Sequence, residues 1–335
     1  MGRQSLVKRK MVIESFNREV TVHHLLETGI MRIAVVGSGG VGGYYGSLLQ
    51  QSGQQVSFLA RGAHLEAMRS HGLRVESAIA DPITLRVTAT DHPAEIGRVD
   101  LVLFTVKAYD SASAAALLPP LLGPDTGVLT LQNGVDSIDV LAERVGRAHV
   151  LGGLCQIFCA LSRPGMIKHM GGPRRVVLGE LDGRVTPRAQ AAYDAFKATG
   201  VPVELSRQIL VDMWEKFIFI NAQGGMTALT RLPIGVIRET RETFEMYLEV
   251  AEEVATVGRA HGVPIPDGQR ERVKSFALAL DPGAYSSLHT DIVAGRRTEL
   301  ETLLGTVVRL GRRYDIPIPS TRAIYAALKP HDKGG

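Results

Sequence analysis

The sequence predicts an α/β protein, with a doubly wound parallel sheet domain followed by an all-helical domain. Three observations carry that prediction. Residues 31–62 run through a short apolar stretch, a glycine cluster, a helix-like stretch and a second apolar stretch. From there to about residue 206, short apolar runs alternate with helical ones. Beyond 207, apolar residues recur only at helical spacing over long runs.

The first apolar run is Ile33–Val36, and it ends in Gly37, Gly39, Gly40, Gly42 and Gly43. Tyr44 to Gln51 reads as helix and stops at Gly53. Val56–Leu59 is a second strand, ending at Arg61. Gly37-x-Gly39-x-x-Gly42 is thus a GxGxxG motif set between a strand and a helix, the context that makes it a dinucleotide fingerprint. One glycine makes the sharp turn, one lets backbone approach a pyrophosphate, and one lets helix and strand pack closely. The turn residues Gly37, Ser38, Gly39, Gly40, Val41 and Gly42 are therefore expected to hold a cofactor in a Rossmann-type domain, at the N–H groups that open the helix. An NAD site usually carries an acid about 20 residues further on, for the ribose 2′-OH. Here the second strand ends in Ala60-Arg61 with no acid, and a guanidinium suits a 2′-phosphate. The expected cofactor is NADPH/NADP+.

The remaining elements follow in order. His64–Ser70 reads as a short helix. Leu73–Glu76 and Ile83–Thr90 read as strands, with a turn signal at Asp81-Pro82. Asp100–Thr105 is a continuous apolar strand, of the kind buried on both faces, and delivers Lys107. Ser111–Leu118 is an alanine-rich helix stopped by Pro119-Pro120. Val128–Leu131 delivers Gln132-Asn133-Gly134. Residues 137–145 are helix and 148–159 strand. Turns are expected at Pro164-Gly165 and Gly171-Gly172-Pro173, a strand at Val176–Leu178, a helix from Pro187 to Gly200 and a strand at Pro202–Leu205. Helical periodicity then covers 208–230, 236–262, 267–280, 297–313 and about 321–328. The domains expected are an N-terminal extension at 1–30, a nucleotide domain at 31–206 and a helical domain at 207–330. The Gly37 turn, Arg61, Lys107 and Asn133 all fall at strand C-terminal ends, where doubly wound sheets bind ligands.

With 335 residues the chain is long enough for two cores. It is 45% hydrophobic and 21% charged, with a formal charge of +4, a mild excess that suits anionic small molecules. No basic, aromatic-interleaved stripe points to nucleic acid, and no apolar run approaches the ~18 residues of a membrane span. Cys155 and Cys159 have no further metal ligands nearby, so no metal is expected, and they read as small buried hydrophobes. So few cysteines fit a reducing cytoplasm. Residues 1–30 lack a continuous apolar core, which argues against a secretory signal; Val20–Leu26 could form a short helix there. A homodimer is compatible with the sequence without being specified by it.

Lys216 lies in a helical run beside Phe217, Ile218, Phe219 and Ile220. Such a lysine either snorkels to the surface or serves as a general acid, protonating the alkoxide that hydride reduction of a ketone leaves. Glu299 opens the run Leu300, Leu303, Leu304, Val307, Val308. It is either a first-turn charge, the reading the sequence alone favours, or a site residue.

Together these stretches resemble the ketopantoate reductase (2-dehydropantoate 2-reductase) family. The matching pieces are the 37–42 fingerprint with Leu59-Ala60-Arg61, Thr105-Val106-Lys107-Ala108, Leu131-Gln132-Asn133-Gly134, Trp214-Glu215-Lys216, Ser286-Ser287 with Asp291-Ile292, and Thr298-Glu299. Their order holds from residue 31 to about 328. The resemblance implies a Rossmann domain, an all-helical domain, an active site in the cleft between them, and NADPH-dependent reduction of 2-dehydropantoate to pantoate on the way to coenzyme A. It implies Lys216 as proton donor to the ketone oxygen and Glu299 as the acid that orders the site and the nicotinamide ribose. Asn133 would stand near nicotinamide and substrate, Lys107 beside both, Ser287 on the substrate carboxylate and Arg61 on the 2′-phosphate.

The sequence departs from the family at one place. Members acting on ketopantoate usually carry asparagines four and eight residues after the lysine, where this chain has Ile220 and Gly224. Asn221 comes one step late, about 100° round a helix, and is the substrate-binding candidate that remains. A more apolar pocket should reject a hydroxyl-bearing substrate. Reduction of another 2-keto acid or related carbonyl is thus an alternative, as is a two-domain dehydrogenase acting on a polyol phosphate or an opine. A non-catalytic NADP(H) sensor is a third reading, disfavoured by the intact Lys216 and Glu299.

Overall fold

The computed structural model describes residues 29–334, so the short helix expected at Val20–Leu26 lies outside the described residues. The chain divides into two units. The first comprises residues up to Gln132 together with Ile138–Ile209. The second comprises Asn133–Ser137 and the residues from Leu210 onward.

The first unit is built on a ten-stranded sheet. Its parallel core runs β8 (Val150–Arg163), β7 (Gly127–Thr130), β6 (Leu101–Phe104), β1 (Arg32–Val36), β2 (Gln55–Leu59) and β5 (Thr88–Thr90). Every residue of β6 and β7 is buried, as the unbroken apolar runs require of strands covered on both faces. Helix α1 (Gly40–Gln51) follows β1 and buries Tyr44, Tyr45 and Leu49. Helices α2 (Gly62–His71), α3 (Pro93–Ile96), α4 (Ser111–Ala115), α5 (Ser137–Val145) and α6 (Pro187–Ala198) complete the alternation. The doubly wound α/β class is therefore the observed one, with a mixed extension. β9 (Met166–Glu180) pairs antiparallel with β8, β3 (Leu73–Ser77) and β10 (Val203–Leu205) pair parallel with β9, and β4 (Ala80–Leu85) closes the edge antiparallel to β3.

Three local expectations need correction. The single strand expected at 83–90 is two strands, β4 and β5, which lie at opposite edges of the sheet. Alternating apolar residues continue through the link at Arg86-Val87 and hide the break. The turn expected at Asp81-Pro82 falls at Ala78-Ile79 instead, and Pro82 sits within β4. An edge strand tolerates proline because one row of its N–H groups has no ladder partner to lose. Gly171-Gly172-Pro173 is no turn but an irregular point inside β9. Gly171, Gly172 and Arg174 take φ of 135°, 92° and 56°, and the β8–β9 register shifts on either side of Phe158, the signature of a bulge.

The second unit is helical: α7 (Ile209–Thr230), α8 (Ile234–Glu239), α9 (Arg241–Ala260), α10 (Gln269–Ala279), α11 (Ser287–Val293), a π-turn at Glu301–Gly305 running into α12 (Thr306–Tyr314), and α13 (Pro319–Leu328). The helix expected over 236–262 is broken at Thr240, whose backbone is extended and whose hydroxyl donates to the Val236 carbonyl. The helix expected from 297 begins only at 301, and α11 is too short for periodicity to announce. Helix α7 is the core of this unit, with residues 221–228 all buried. A helix that is apolar on all sides belongs inside a protein. Trp214, Phe217 and Ile218 pack with Tyr247, Val250 and Val254 of α9 and with Leu300, Leu304 and Val307. Among the described residues, no helix is long and apolar enough to cross a membrane.

Candidate active site

In the first unit the glycines divide their labour. Gly37 has φ of +100°, and a Cβ there would lie 2.4 Å from the Val106 amide nitrogen. A Cβ at Gly42 would lie 2.2 Å from the Gly37 carbonyl oxygen. These two are needed for turn geometry and for helix–strand contact. Gly39 differs, since among the described residues nothing lies within 4 Å of where its Cβ would be. That open space at the head of a twelve-residue helix is what a pyrophosphate would fill, so these residues fit a dinucleotide. Gly40 packs against the Cys159 carbonyl, while Val41 is half-buried. Ser38 is buried, with its hydroxyl directed to the Leu59 carbonyl at 3.3 Å.

Arg61 lies two residues past β2 and opens α2, with its guanidinium almost fully exposed. Asp110 stands 3.5 Å from it, a partner that no motif announced. Lys107 follows β6, is exposed, and opens the short turn Ala108–Asp110. Gln132 fixes that loop by donating its amide to the Val106 carbonyl and the Ser111 hydroxyl, both at 2.7 Å. Lys107 is near enough to Cys159 to act on the thiol, although burial and Cys155 together push that thiol well above its ordinary range. Neither cysteine forms a disulfide; Cys155 is buried and Cys159 partly so.

In the second unit, Lys216 donates from Nζ to Asn133 Oδ1 at 3.0 Å. Asn133 Nδ2 points to Glu299 Oε2 at a long 3.5 Å. The order of this row is chemically determined. An ammonium only donates and a carboxylate only accepts, so the amide must present oxygen to Lys216 and nitrogen to Glu299. Helix α7 places Lys216: Trp214 and Phe217 are buried on its inner side, and Glu215 is held by Arg272 at 2.7 Å. The Asn133 segment is fastened to the helix that follows Glu299. Gly134 takes φ of +88° beside Thr302, Asp136 accepts from Thr306 Oγ1 at 2.6 Å, and Arg309 reaches Asp136 at 2.8 Å. Glu299 is buried just before the π-turn, and its neighbour Thr298 is tied to Asp332 at 2.7 Å. The lysine is thus half-buried and bonded rather than snorkelling freely.

The other two substrate candidates lie elsewhere on the unit. Asn221 is fully buried, about 140° round α7 from Lys216, and its amide donates to the Phe217 carbonyl of its own helix. The structure does not bring it to the Lys216 row. Ser287 is exposed in the first turn of α11. That turn is capped by Ser286, which accepts from the His289 amide and bonds Thr227 at 2.7 Å. Ile220 and Gly224 lie about 40° and 80° from Lys216 on α7, and the nearest neighbours of a Cβ at Gly224 would be Leu288 and Leu303, at ordinary contact distance. Among the described residues there is no His, Cys, Asp and Glu cluster able to hold a metal.

Two family models match the chain: "Ketopantoate reductase PanE/ApbA" over residues 33–183, and its C-terminal counterpart over 208–332. The oxidoreductase YkpB of Bacillus subtilis, itself uncharacterised, is 30% identical over 90% of this chain and 99% of its own. A 2-dehydropantoate 2-reductase of Halobacterium salinarum is 31% identical over 91% of this chain and all of its own. The crystal structure of a PanE/ApbA family ketopantoate reductase from Ralstonia eutropha superposes with a TM-score of 0.80 at 32% identity, covering 90% of this chain and 98% of that one.

Proposed function

The chain belongs to the ketopantoate reductase family, and from that premise we propose that it reduces 2-dehydropantoate to (R)-pantoate with NADPH, with Lys216 as general acid. The observation that carries this reading is the row Lys216–Asn133–Glu299. The Gly37–Gly42 turn would hold the pyrophosphate, Arg61 the 2′-phosphate, and Lys107 would stand beside cofactor and substrate. When bound, NADPH supplies a hydride for the keto carbon. Lys216 then gives an Nζ proton to the oxygen that gains charge as the carbonyl is reduced. The Asn133 carbonyl aims the ammonium, and Glu299 holds the Asn133 amide so that it cannot turn its nitrogen toward Lys216.

A second reading keeps the reaction and changes the acid reduced. Ile220 and Gly224 present no hydrogen-bonding side chain, and Asn221 is turned into its own helix. That favours a 2-keto acid with an apolar substituent. Initial rates of NADPH oxidation with 2-dehydropantoate and with unhydroxylated 2-keto acids separate the two, as the better kcat/KM names the substrate. Folded protein that binds NADPH and turns over none of them would rule out both.

A further inference from the structure

His64 belongs to no motif used above, yet it touches the cofactor turn. Its Nε2 lies 2.8 Å from the Ser38 carbonyl oxygen, and the Gly165 amide, in the turn joining β8 to β9, donates to its Nδ1 at 2.9 Å. A backbone N–H can only donate, so Nδ1 carries no proton and the neutral ring donates from Nε2 to Ser38. The ring is thereby braced on both sides.

What it braces follows from the planarity of the peptide bond. The Ser38 carbonyl and the Gly39 N–H belong to one trans peptide and point in opposite directions. Fixing the oxygen aims the N–H. The preceding peptide is fixed in the same way, since the Gly37 carbonyl accepts from Thr105 Oγ1 at 2.8 Å. Two successive peptides of a glycine-rich turn, soft by nature, are therefore each held by a side chain from another element. The peptide that His64 holds is the one whose glycine faces open space.

We propose that His64 is a positioning residue for cofactor binding, aiming the Gly39 N–H at the pyrophosphate through its bond to the Ser38 carbonyl. The proposal rests on the dinucleotide reading of the turn. It also places two functions at the start of one helix, with Arg61 for the 2′-phosphate and His64, three residues on, for the pyrophosphate turn.

The test is NADPH affinity, measured directly by fluorescence titration, for wild type and for His64→Leu, His64→Gln and His64→Asn. A glutamine amide reaches the place of Nε2 and can still donate to Ser38, whereas an asparagine reaches only the place of Nδ1 and keeps Gly165 alone. The Leu and Asn variants should lose roughly three- to tenfold in NADPH affinity, the value of one hydrogen bond, and Gln should recover most of it. The KM for NADPH should rise in step while kcat at saturating NADPH stays within about twofold. Equal affinities for Gln and Asn, or losses that simply follow melting temperature, would overturn the role of the Ser38 bond. Wild-type protein that binds no NADPH would remove the dinucleotide reading and this proposal together.

Discussion

Lys216 Nζ and Asn133 Oδ1 are 3.0 Å apart although 83 positions separate them in the chain. The bond gives an otherwise mobile ammonium one direction. Replacing Lys216 with alanine should lower kcat by about 10²–10⁴, the usual size of a lost general acid. NADPH affinity should be unchanged, because every turn residue proposed for the cofactor phosphates belongs to the first unit. Steady-state kinetics with a parallel NADPH titration check both halves.

Asn133→Asp tests the row itself. The new carboxylate sets a like charge beside Glu299 and removes the donor that faced it. The Lys216 ammonium, 3.0 Å from the same position, pairs with the new carboxylate and opposes that repulsion, so Lys216 keeps its partner while Glu299 loses its donor. The variant should therefore lower kcat, and adding Glu299→Gln, which removes the like charge and restores a donor, should recover part of it. Steady-state rates of the single and double variants check this, and no recovery would refute this arrangement of the row.

The glycines separate folding from binding. Gly37→Ala puts a Cβ 2.4 Å from backbone at a left-handed φ, and should cost stability by about 1–3 kcal/mol as well as cofactor affinity. Gly39→Ala meets no atom of the described residues within 4 Å, so it should melt as wild type does and still lose NADPH binding. Thermal melts and NADPH titration of the pair decide it. If Gly39→Ala bound normally, the open space would not be the pyrophosphate's.

The contrast between these two glycines shows how far the sequence could be read. The fingerprint at 37–42 is local and was legible in full, as were the apolar strands at Leu101–Phe104 and Gly127–Thr130. The break between β4 and β5 was not legible, because apolar alternation runs straight through it. Nor were the partners Asp110 and His64, because an ion pair across 49 positions or a hydrogen bond across 26 leaves no periodicity to find. From the residues alone Lys216 was a lysine in apolar company, open to a snorkelling or a general-acid reading, and only the family resemblance gave it the proton-donor role. Its bond to Asn133 depends on the short segment Asn133–Ser137 grouping with the helical unit, and nothing in Gln132-Asn133-Gly134 signals that.

Arg61 and Asp110 make a cofactor prediction. Arg61→Ala should raise the KM for NADPH far more than that for NADH, since only the former has a phosphate for the guanidinium to grip. Asp110, 3.5 Å from Arg61, presents a negative charge where that phosphate would bind. Asp110→Asn should thus improve NADPH over NADH, opposite in sign to Arg61→Ala. Cofactor KM ratios for the two variants check the pair, and equal effects on both cofactors would contradict the assignment.

Glu301 gives the helical unit an acid limit. Burial alone would raise its carboxyl pKa, but bonds from Lys329 and Tyr325, with the Arg309 charge, outweigh burial and hold it below its ordinary value. A carboxyl held low in the folded state contributes stability above its unfolded pKa of about 4.3, and that stability is lost as pH falls through the lower folded value. Glu301→Gln removes the charge at every pH. Wild type should therefore melt above the variant at neutral pH, and the gap should close between about pH 4.3 and more acid values. The carboxylate is nearly half exposed, so salt should narrow the gap at neutral pH as well. Thermal melts of both proteins over that range, at low and high salt, check the sign. A gap that stayed constant with pH would show that Glu301 acts through packing and not through charge.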